Sequence, residues 1–552
     1  MKRSYYGYGY VIAYLILLRV ILNITVNISV FNFGILFDVV LMMFWVGALA
    51  YLMKKHLSQK IYYIFVVIVS SIFTIGDSLY YDYFGIISSR ASFAGLKFLT
   101  EGQTLEYDIS IPLVAYLITP ILIGVIYLII TNKKKDVFVL KDFVILSSFF
   151  VVQVGIFIYW GSHEFDTRME YYRSDAYLFE SMHDRIDFSE KYGYFNYHLL
   201  DLTRVRESLD VEEAKEEIDV YFEWLDPHST NDMSDTYEGY NVITILGETL
   251  ETRFINEDLT PNLYMMKTNG YSFDNFYTPV FQQGATCNSE FMSLTGLQSI
   301  TTNDWSNNVC DAYSENAFPY SLPAQLDEIG YNTYYFHSGY EWFYNREVMI
   351  PQYGFETVKF QEDIYDLGHE DFEERYDRDM LTFFDEFVTY EDPFFVNLLT
   401  YSGHGAYNQE DFDKYADIVE LAHPNNDFDY EIINYMEKLV ETDKMIGDLI
   451  ELLDDNGELD NTLFAIFPDH FPYMMDSKIY TDYIGIDYDS PEIHRQNLIL
   501  YATDMTGEVI QTPGSTVDIT PTLMNMLYSD GNYDYFMGTD LFSTDENYVI
   551  FS

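Results

Sequence analysis

The chain has 552 residues, a formal net charge of −57, 49% hydrophobic residues and two cysteines. So acidic a balance excludes a nucleic-acid-binding protein, which needs basic patches to neutralise phosphates. The hydrophobic content excludes a disordered polyanion, and two cysteines exclude a disulfide scaffold or a cysteine-based zinc module. The charge is unevenly spread: residues 1–160 hold 12 Lys and Arg against 8 Asp and Glu, and the remainder 18 against 79. This length leaves room for more than one domain.

Five apolar runs open the chain, roughly Tyr8–Val26, Gly34–Met53, Ile61–Ile75, Ile111–Thr131 and Phe143–Trp160. Most approach the roughly 20 residues that cross about 30 Å of hydrocarbon, and residues 76–81 can lengthen the third. Five such runs in one block predict a five-span α-helical membrane domain over residues 1–160. Lys2 and Arg3, then Lys54, Lys55 and Lys60, then Lys133, Lys134, Lys135 and Lys141 all fall on one side if the spans alternate. Basic loops stay cytoplasmic, so the N-terminus is inside and everything beyond Trp160 outside. The external loop from Asp77 to Ser110 holds only Arg90 and Lys97; residues 84–99 read either as an amphipathic segment on the outer leaflet or as a plain loop. The first span can target the chain without a cleavable signal. Arg19 lies inside that span, to snorkel or to face other helices, with no role assigned.

Residues 161–238 read as a helical linker. Its clearest helix is 211–225, closed by Asp226-Pro227. From Tyr240 short apolar runs recur at 241–246, 331–336, 394–400, 463–467 and 497–501, with helical patterns such as Tyr430–Leu453 between them. Alternation of this kind predicts an α/β domain over residues 239–552 with a largely parallel sheet. Ligands of such sheets gather at the carboxyl ends of the strands.

Polar side chains follow these runs closely. Glu248 follows the first, His337 the second, His404 the third, and Asp469 with His470 the fourth. On parallel strands they converge on one rim, and carboxylates with an imidazole suit Mn²⁺, Mg²⁺ or Zn²⁺. Alone, an Asp-His pair is more often a surface turn than a ligand, and a Glu after a strand is usually a solvated helix start. The segment Gln282-Gln-Gly-Ala-Thr-Cys-Asn-Ser-Glu-Phe291 precedes a helix-like stretch, so Thr286 sits in the positive field of a helix start. It is either an N-cap threonine or, beside a metal, a nucleophile.

Taken in order, these motifs resemble the lipoteichoic acid synthase family, polyglycerolphosphate transferases with five spans and an external sulfatase/alkaline-phosphatase-like domain. Gly284-Ala-Thr-Cys-Asn-Ser-Glu-Phe291 is similar to that family's nucleophile segment, and His337 and Arg346 are in register with its substrate stretch. The resemblance implies Thr286 as nucleophile and Glu248, Thr286, Asp469 and His470 around one divalent ion, Mn²⁺ first, Mg²⁺ or Zn²⁺ as alternatives. It implies His337, Tyr344, Arg346 and His404 as substrate-binding residues. The implied reaction moves glycerol phosphate from phosphatidylglycerol to a glycerol phosphate polymer or a glycolipid acceptor, on the outer face of a bacterial cell membrane, with no nucleic acid involved. Three positions depart from the pattern: Gly339 stands for the family's Asp, Tyr344 for its Trp, and Cys287 for the Ser after the nucleophile. The sulfatase signature Cys-x-Pro-Ser-Arg is absent, and the sequence leaves open whether Cys287 and Cys310 pair. Competing readings are a membrane-anchored phosphodiesterase, sulfatase or phosphoethanolamine transferase of the same superfamily, and, outside enzymes, a decayed cell-wall scaffold. The acidic exterior should repel anionic lipid, though salt screens charge beyond about 8–10 Å.

Overall fold

In the computed structural model the described residues are 5–90, 136–161, 178–203, 215–220 and 230–551, less 27, 31, 54, 85–86, 180–181, 183–184, 217, 279–284, 300–308, 315, 368–375, 408–411, 425–426, 489 and 544–546. The chain divides into two compact units, Met1–Ser208 with Thr302–Ser306, and Leu209–Thr301 with Asn307–Ser552.

In the first unit α1 (Tyr6–Thr25), α2 (Phe33–Leu52), α3 (His56–Phe84) and α4 (Leu140–Gly161) arise from the first, second, third and fifth apolar runs. All four are long and apolar enough to cross a membrane, with apolar stretches of 20, 20, 26 and 20 residues. At 1.5 Å per residue, 20 residues reach about 30 Å, the thickness of the hydrocarbon core. The fourth run, Ile111–Thr131, lies outside the described residues, as do 91–110 and the basic residues Lys2, Arg3, Lys54 and Lys133–Lys135. Of the helix expected over 211–225, residues 215–216 and 218–220 are described and are helical.

Two short helices, α5 (Arg185–Lys191) and α6 (Tyr194–Thr203), complete this unit. A polar network joins them to the spans. Arg19 is buried; its Nε donates to Asp38 Oδ2 at 2.9 Å and its Nη2 to the Ser189 carbonyl at 2.8 Å. Asp38 also accepts the backbone N–H groups of Tyr194 and Phe195 at 2.9 and 2.8 Å. One carboxylate thus neutralises the arginine and satisfies the first turn of α6, whose N–H groups have no partner within the helix. Asp77 of α3 meets His198 Nε2 at 2.7 Å and the Tyr194 hydroxyl at 2.5 Å. Charged side chains inside an apolar bundle are tolerated when paired in this way.

Among the described residues the second unit is built on a nine-stranded sheet: β1 (Asn241–Gly247), β2 (Tyr271–Tyr277), β3 (Asn332–His337), β4 (Thr357–Lys359), β5 (Phe394–Leu399), β6 (Thr462–Pro468), β7 (Arg495–Tyr501), β8 (Glu508–Ile510) and β9 (Gly514–Ser515). The order is β4-β3-β5-β1-β6-β7-β2-β8, with β9 also paired to β2. All five runs expected as strands are strands. The sheet is largely parallel, as expected: β4, β3, β5, β1 and β6 run parallel, β2 runs parallel to β8 and β9, and among the described strands β7 alone is reversed, antiparallel to both β6 and β2. An apolar run carries no direction, and the connection over 469–494 brings the chain back to the end of the sheet it left.

Strands β1, β5 and β6 are apolar almost throughout because both faces are covered. Val242 and Leu246 face one core with Phe395 and Phe467; Ile243 and Ile245 face the other with Val396 and Ile466. Phe291 and Met292 of α7 (Ala285–Thr295) pack into the first core, and Tyr435, Met436 and Leu439 of α8 (Tyr430–Asn456) into the second. This layering holds the strand ends in fixed register.

Removing one partner of a buried ion pair costs about 3–5 kcal/mol, more than replacing both. Asp38→Ala should therefore lower the melting temperature of the full chain in detergent more than the Arg19→Met/Asp38→Leu double variant does. Equal melting of the two would remove the pair from the stability of this unit.

Candidate active site

The register sets the site. Leu246 pairs with Leu399, Gly247 with Pro468, and His337 with Leu399, so β1, β3, β5 and β6 end on one line. Glu248 and Asp469 each stand one residue beyond that line, His337 closes β3, and His404 lies on the turn after β5. Thr286 reaches the same place from the first turn of α7, although it is 38 residues from Glu248 and 184 from His470 in the chain.

Four side chains converge there. Thr286 Oγ1 donates to Glu248 Oε2 at 3.1 Å and lies 3.4 Å from His470 Nε2. His470 Nε2 lies 3.0 Å from Asp469 Oδ2 and 3.6 Å from Glu248 Oε1. All four residues are buried, and ligand atoms of Glu248, Asp469 and His470 lie within 4.8 Å of one another. Burial and the Asp469 charge push the Glu248 carboxyl up to about 8. Burial pulls the His470 ring down, but the Asp469 carboxylate outweighs it and raises the ring to about 9. Asp469 is held low, because the His470 ring overrides the effect of burial.

Surrounding groups aim these side chains. The Glu248 N–H donates to Thr400 Oγ1, and the Thr249 hydroxyl to Glu248 Oε1, each at 2.8 Å. The N–H groups of Thr249 and His470 both donate to Asp469 Oδ1 at 2.7 Å. Asp469 Oδ2 is buried and, while the His470 ring 3.0 Å away is neutral, receives no hydrogen bond. His470 Nδ1 lies 3.0 Å from the Phe471 carbonyl oxygen, so Nδ1 carries the proton and a neutral ring turns the Nε2 lone pair inward. Two carboxylates, one orphaned carboxylate oxygen, an inward imidazole lone pair and a hydroxyl fit a divalent cation.

The other predicted residues stand around this group. His337 is buried, with Nδ1 2.9 Å from the Leu399 carbonyl; burial, then the Arg346 charge, hold its ring well below the usual range. A Cβ at Gly339 would meet His337 Nε2 at 2.3 Å, so a side chain there would displace the ring. That is the physical counterpart of the glycine that replaces the family's aspartate. His404 is half-buried and stacked on Tyr401, with Nδ1 2.6 Å from the Gly405 carbonyl; burial lowers its ring to about 4. Arg346 lies with its guanidinium carbon 5.2 Å from the centre of the Tyr344 ring. It is also buried against Glu290, its Nε 3.4 Å from Glu290 Oε2. The sequence suggested an arginine open to phosphate; in the structure it carries a carboxylate partner.

Two supports, Thr249 and Asp377, were not singled out from the sequence, and a third, the cysteine pairing, was left open by it. Thr249 has φ of 51°, the left-handed region, which costs a non-glycine residue about 1–3 kcal/mol. Asp377 accepts the N–H groups of Tyr401 and Ser402 at 2.6 and 3.0 Å and the Thr442 hydroxyl at 2.8 Å, fixing the turn that leads to His404. Cys287, beside Thr286, is bonded to Cys310, with Cα atoms 6.2 Å apart and a sequence separation of 23. Closing a loop of that size constrains the unfolded chain by about 3 kcal/mol in the entropic account. Glu290, the arginine's partner, was also missed: its spacing from Thr286 shows only that the two share a helix face, not that it pairs with Arg346.

The family model named Sulfatase matches residues 240–529, more than half of the chain. The chain belongs to the sulfatase family. Its relatives include lipoteichoic acid synthase 2 of Bacillus subtilis, 26% identical over 331 residues, covering 57% of this chain and 48% of that protein. The lipoteichoic acid synthase of Staphylococcus saprophyticus is 27% identical over 327 residues, covering 56% and 48%. Among solved structures, lipoteichoic acid synthase LtaP from Listeria monocytogenes aligns with 20% identity and a TM-score of 0.48, covering 59% of this chain and 81% of that one. The chain spans about half the length of the curated relatives it matches. These relatives bear out the resemblance read from the motifs.

A ligand bound only by the folded state stabilises it, by about 2.7 kcal/mol at 100 times its Kd. Mn²⁺ should raise the melting temperature of the wild-type chain and leave Asp469→Asn unmoved; an equal rise in both would place the cation elsewhere. The His404 ring falls from about 6.5 unfolded to about 4 folded. A depressed histidine stabilises fully above about 6.5, and that contribution is lost as the pH falls toward 4. Thermal melts from pH 7 to 5 should therefore fall less steeply for His404→Gln than for wild type.

Proposed function

We propose that the chain transfers glycerol phosphate from phosphatidylglycerol to a glycerol phosphate polymer or glycolipid acceptor, through a phosphodiester-linked Thr286. The observation that carries this reading is Thr286 Oγ1 set 3.1 Å from Glu248 and 3.4 Å from His470, at the dipole-positive start of α7. The names of the relatives support the substrate class. Glu248, Thr286, Asp469 and His470 would hold one divalent ion, Mn²⁺ first. A bound cation supplies charge neutralisation on the phosphoryl oxygens and a lower pKa for the threonine hydroxyl.

The remaining work falls to the chain. Thr286 Oγ gives its proton to water and forms the new O–P bond as the bond from phosphorus to the diacylglycerol oxygen breaks, and that oxygen takes a proton back from water. A glycerol hydroxyl then attacks the same phosphorus as the Oγ–P bond breaks. His404, neutral and with Nδ1 engaged, offers Nε2 to take the hydroxyl proton and return it to Thr286. His337, Tyr344 and Arg346 would hold the glycerol phosphate, the arginine through paired N–H donors. Fixed alignment of this kind supplies much of the rate in phosphoryl transfer.

On this reading residues 1–160 form a five-span domain with the N-terminus in the cytoplasm, residues 161–238 a linker, and residues 239–552 an extracellular catalytic domain. The acidic exterior then acts through screened water, while the charges at the site act at contact distance.

The full chain in nanodiscs containing fluorescent phosphatidylglycerol and Mn²⁺ should release labelled diacylglycerol, and Thr286→Ala should bring release to background. Intact-mass measurement should find a glycerophosphoryl adduct on the wild-type chain. Release that persists in Thr286→Ala would remove the threonine from the reaction.

A further inference from the structure

A second buried charge pair lies behind the threonine. Glu290 stands four residues after Thr286 on α7, so the two side chains share a helix face. Glu290 is fully buried. Its Oε2 faces Arg346 Nε at 3.4 Å, and its Oε1 accepts the Tyr335 hydroxyl at 2.5 Å. Arg346 is also buried, and its Nη1 donates to the Phe343 carbonyl at 3.3 Å. Tyr335 lies on β3, two residues before His337. One carboxylate therefore ties together the helix that presents Thr286, the strand that presents His337, and the start of the short helix Arg346–Met349.

Isolated buried charge is expensive, and packed apolar residues often serve stability as well as a buried ion pair does. What the pair adds is orientation. A guanidinium is a planar fork, so engaging Nε and Nη1 fixes its plane. An unanchored arginine would lose side-chain freedom each time a phosphate bound. Here that ordering is done in advance, and the Arg346 charge is compensated when no phosphate is present. Its field reaches the rest of the site: it bears on the His337 ring, and Glu248 bears on the arginine.

We infer that Glu290 is a positioning residue for Arg346, holding the guanidinium in one plane against a phosphate carried on Thr286. The inference rests on the reading of Thr286 and Arg346 given above. Glu290 touches no reacting atom and acts through the arginine alone.

The test is a double-mutant cycle on the full chain in phosphatidylglycerol nanodiscs. Glu290→Gln should lower kcat for diacylglycerol release by about 10- to 100-fold, the scale of a misplacement of about 1 Å, without raising KM. In an Arg346→Lys background the same substitution should cost nothing further, since residues acting as one unit are not additive. Tyr335→Phe, which removes only the hydrogen bond to Oε1, should give a smaller change of the same kind and keeps the test open if Glu290→Gln folds poorly. The cycle is repeated on the Kd of sn-glycerol 1-phosphate by calorimetry, which needs no turnover. Any change that Glu290→Gln makes there should vanish beside Arg346→Lys. Equal effects in both backgrounds, a raised KM at unchanged kcat, or no change in either kcat or Kd would overturn the inference. Survival of turnover in Thr286→Ala would instead defeat the threonine reading, and the binding cycle would still decide the role of Glu290.

Discussion

Two carboxylates, Glu248 and Asp469, are buried side by side at the ends of adjacent parallel strands. In so dry a place Glu248 resists ionising next to Asp469, which the His470 ring keeps ionised, and the site demands positive charge. The His470 ring can meet that demand with a proton, or a divalent cation can meet it with two charges. The direction of the ring decides which role it is built for. Its Nδ1 is committed to the Phe471 carbonyl, so the neutral tautomer presents a lone pair to the same point that Asp469 Oδ2 faces without a donor. The donor set of Glu248, Asp469 and His470 could hold a cation, and the Thr286 hydroxyl lies beside it, 3.1 Å from Glu248 and 3.4 Å from His470.

The fold serves this constraint. With β1, β5 and β6 covered on both faces and held in register, their carboxyl ends deliver residues far apart in sequence to one line. Rigidity continues outward from there. Thr249 and Asp469 are locked by backbone hydrogen bonds, Asp377 pins the turn before His404, and the Cys287–Cys310 bond fastens the start of α7. A reacting oxygen must be held to within a fraction of an ångström, and these contacts make the surroundings of Thr286 stiff rather than adaptable.

Much of this was readable from residue order, and the failures have physical causes. A run such as Asn241-Val-Ile-Thr-Ile-Leu246 followed at once by a carboxylate marks a buried strand delivering a side chain to its end, so Glu248, His337, His404 and Asp469 were found without coordinates. Strand direction is not written in an apolar run, so the reversal of β7 was missed. Tyr271-Ser-Phe-Asp-Asn-Phe-Tyr277 has too many polar residues to announce β2, which is only half-covered. Pairings between distant charges, Arg19 with Asp38 and Arg346 with Glu290, depend on tertiary packing and leave no local trace. The left-handed Thr249 is invisible for the same reason, since its conformation is imposed by the bonds around it.

Anomalous diffraction at the manganese edge, from crystals of the full chain grown with Mn²⁺, addresses the central claim most directly. One strong peak should lie about 2.0–2.3 Å from Thr286 Oγ, a carboxylate oxygen of Glu248, one of Asp469, and His470 Nε2. A peak bound elsewhere, or one that engages the three acidic and imidazole ligands while Thr286 Oγ stays beyond bonding distance, would contradict a metal-activated threonine.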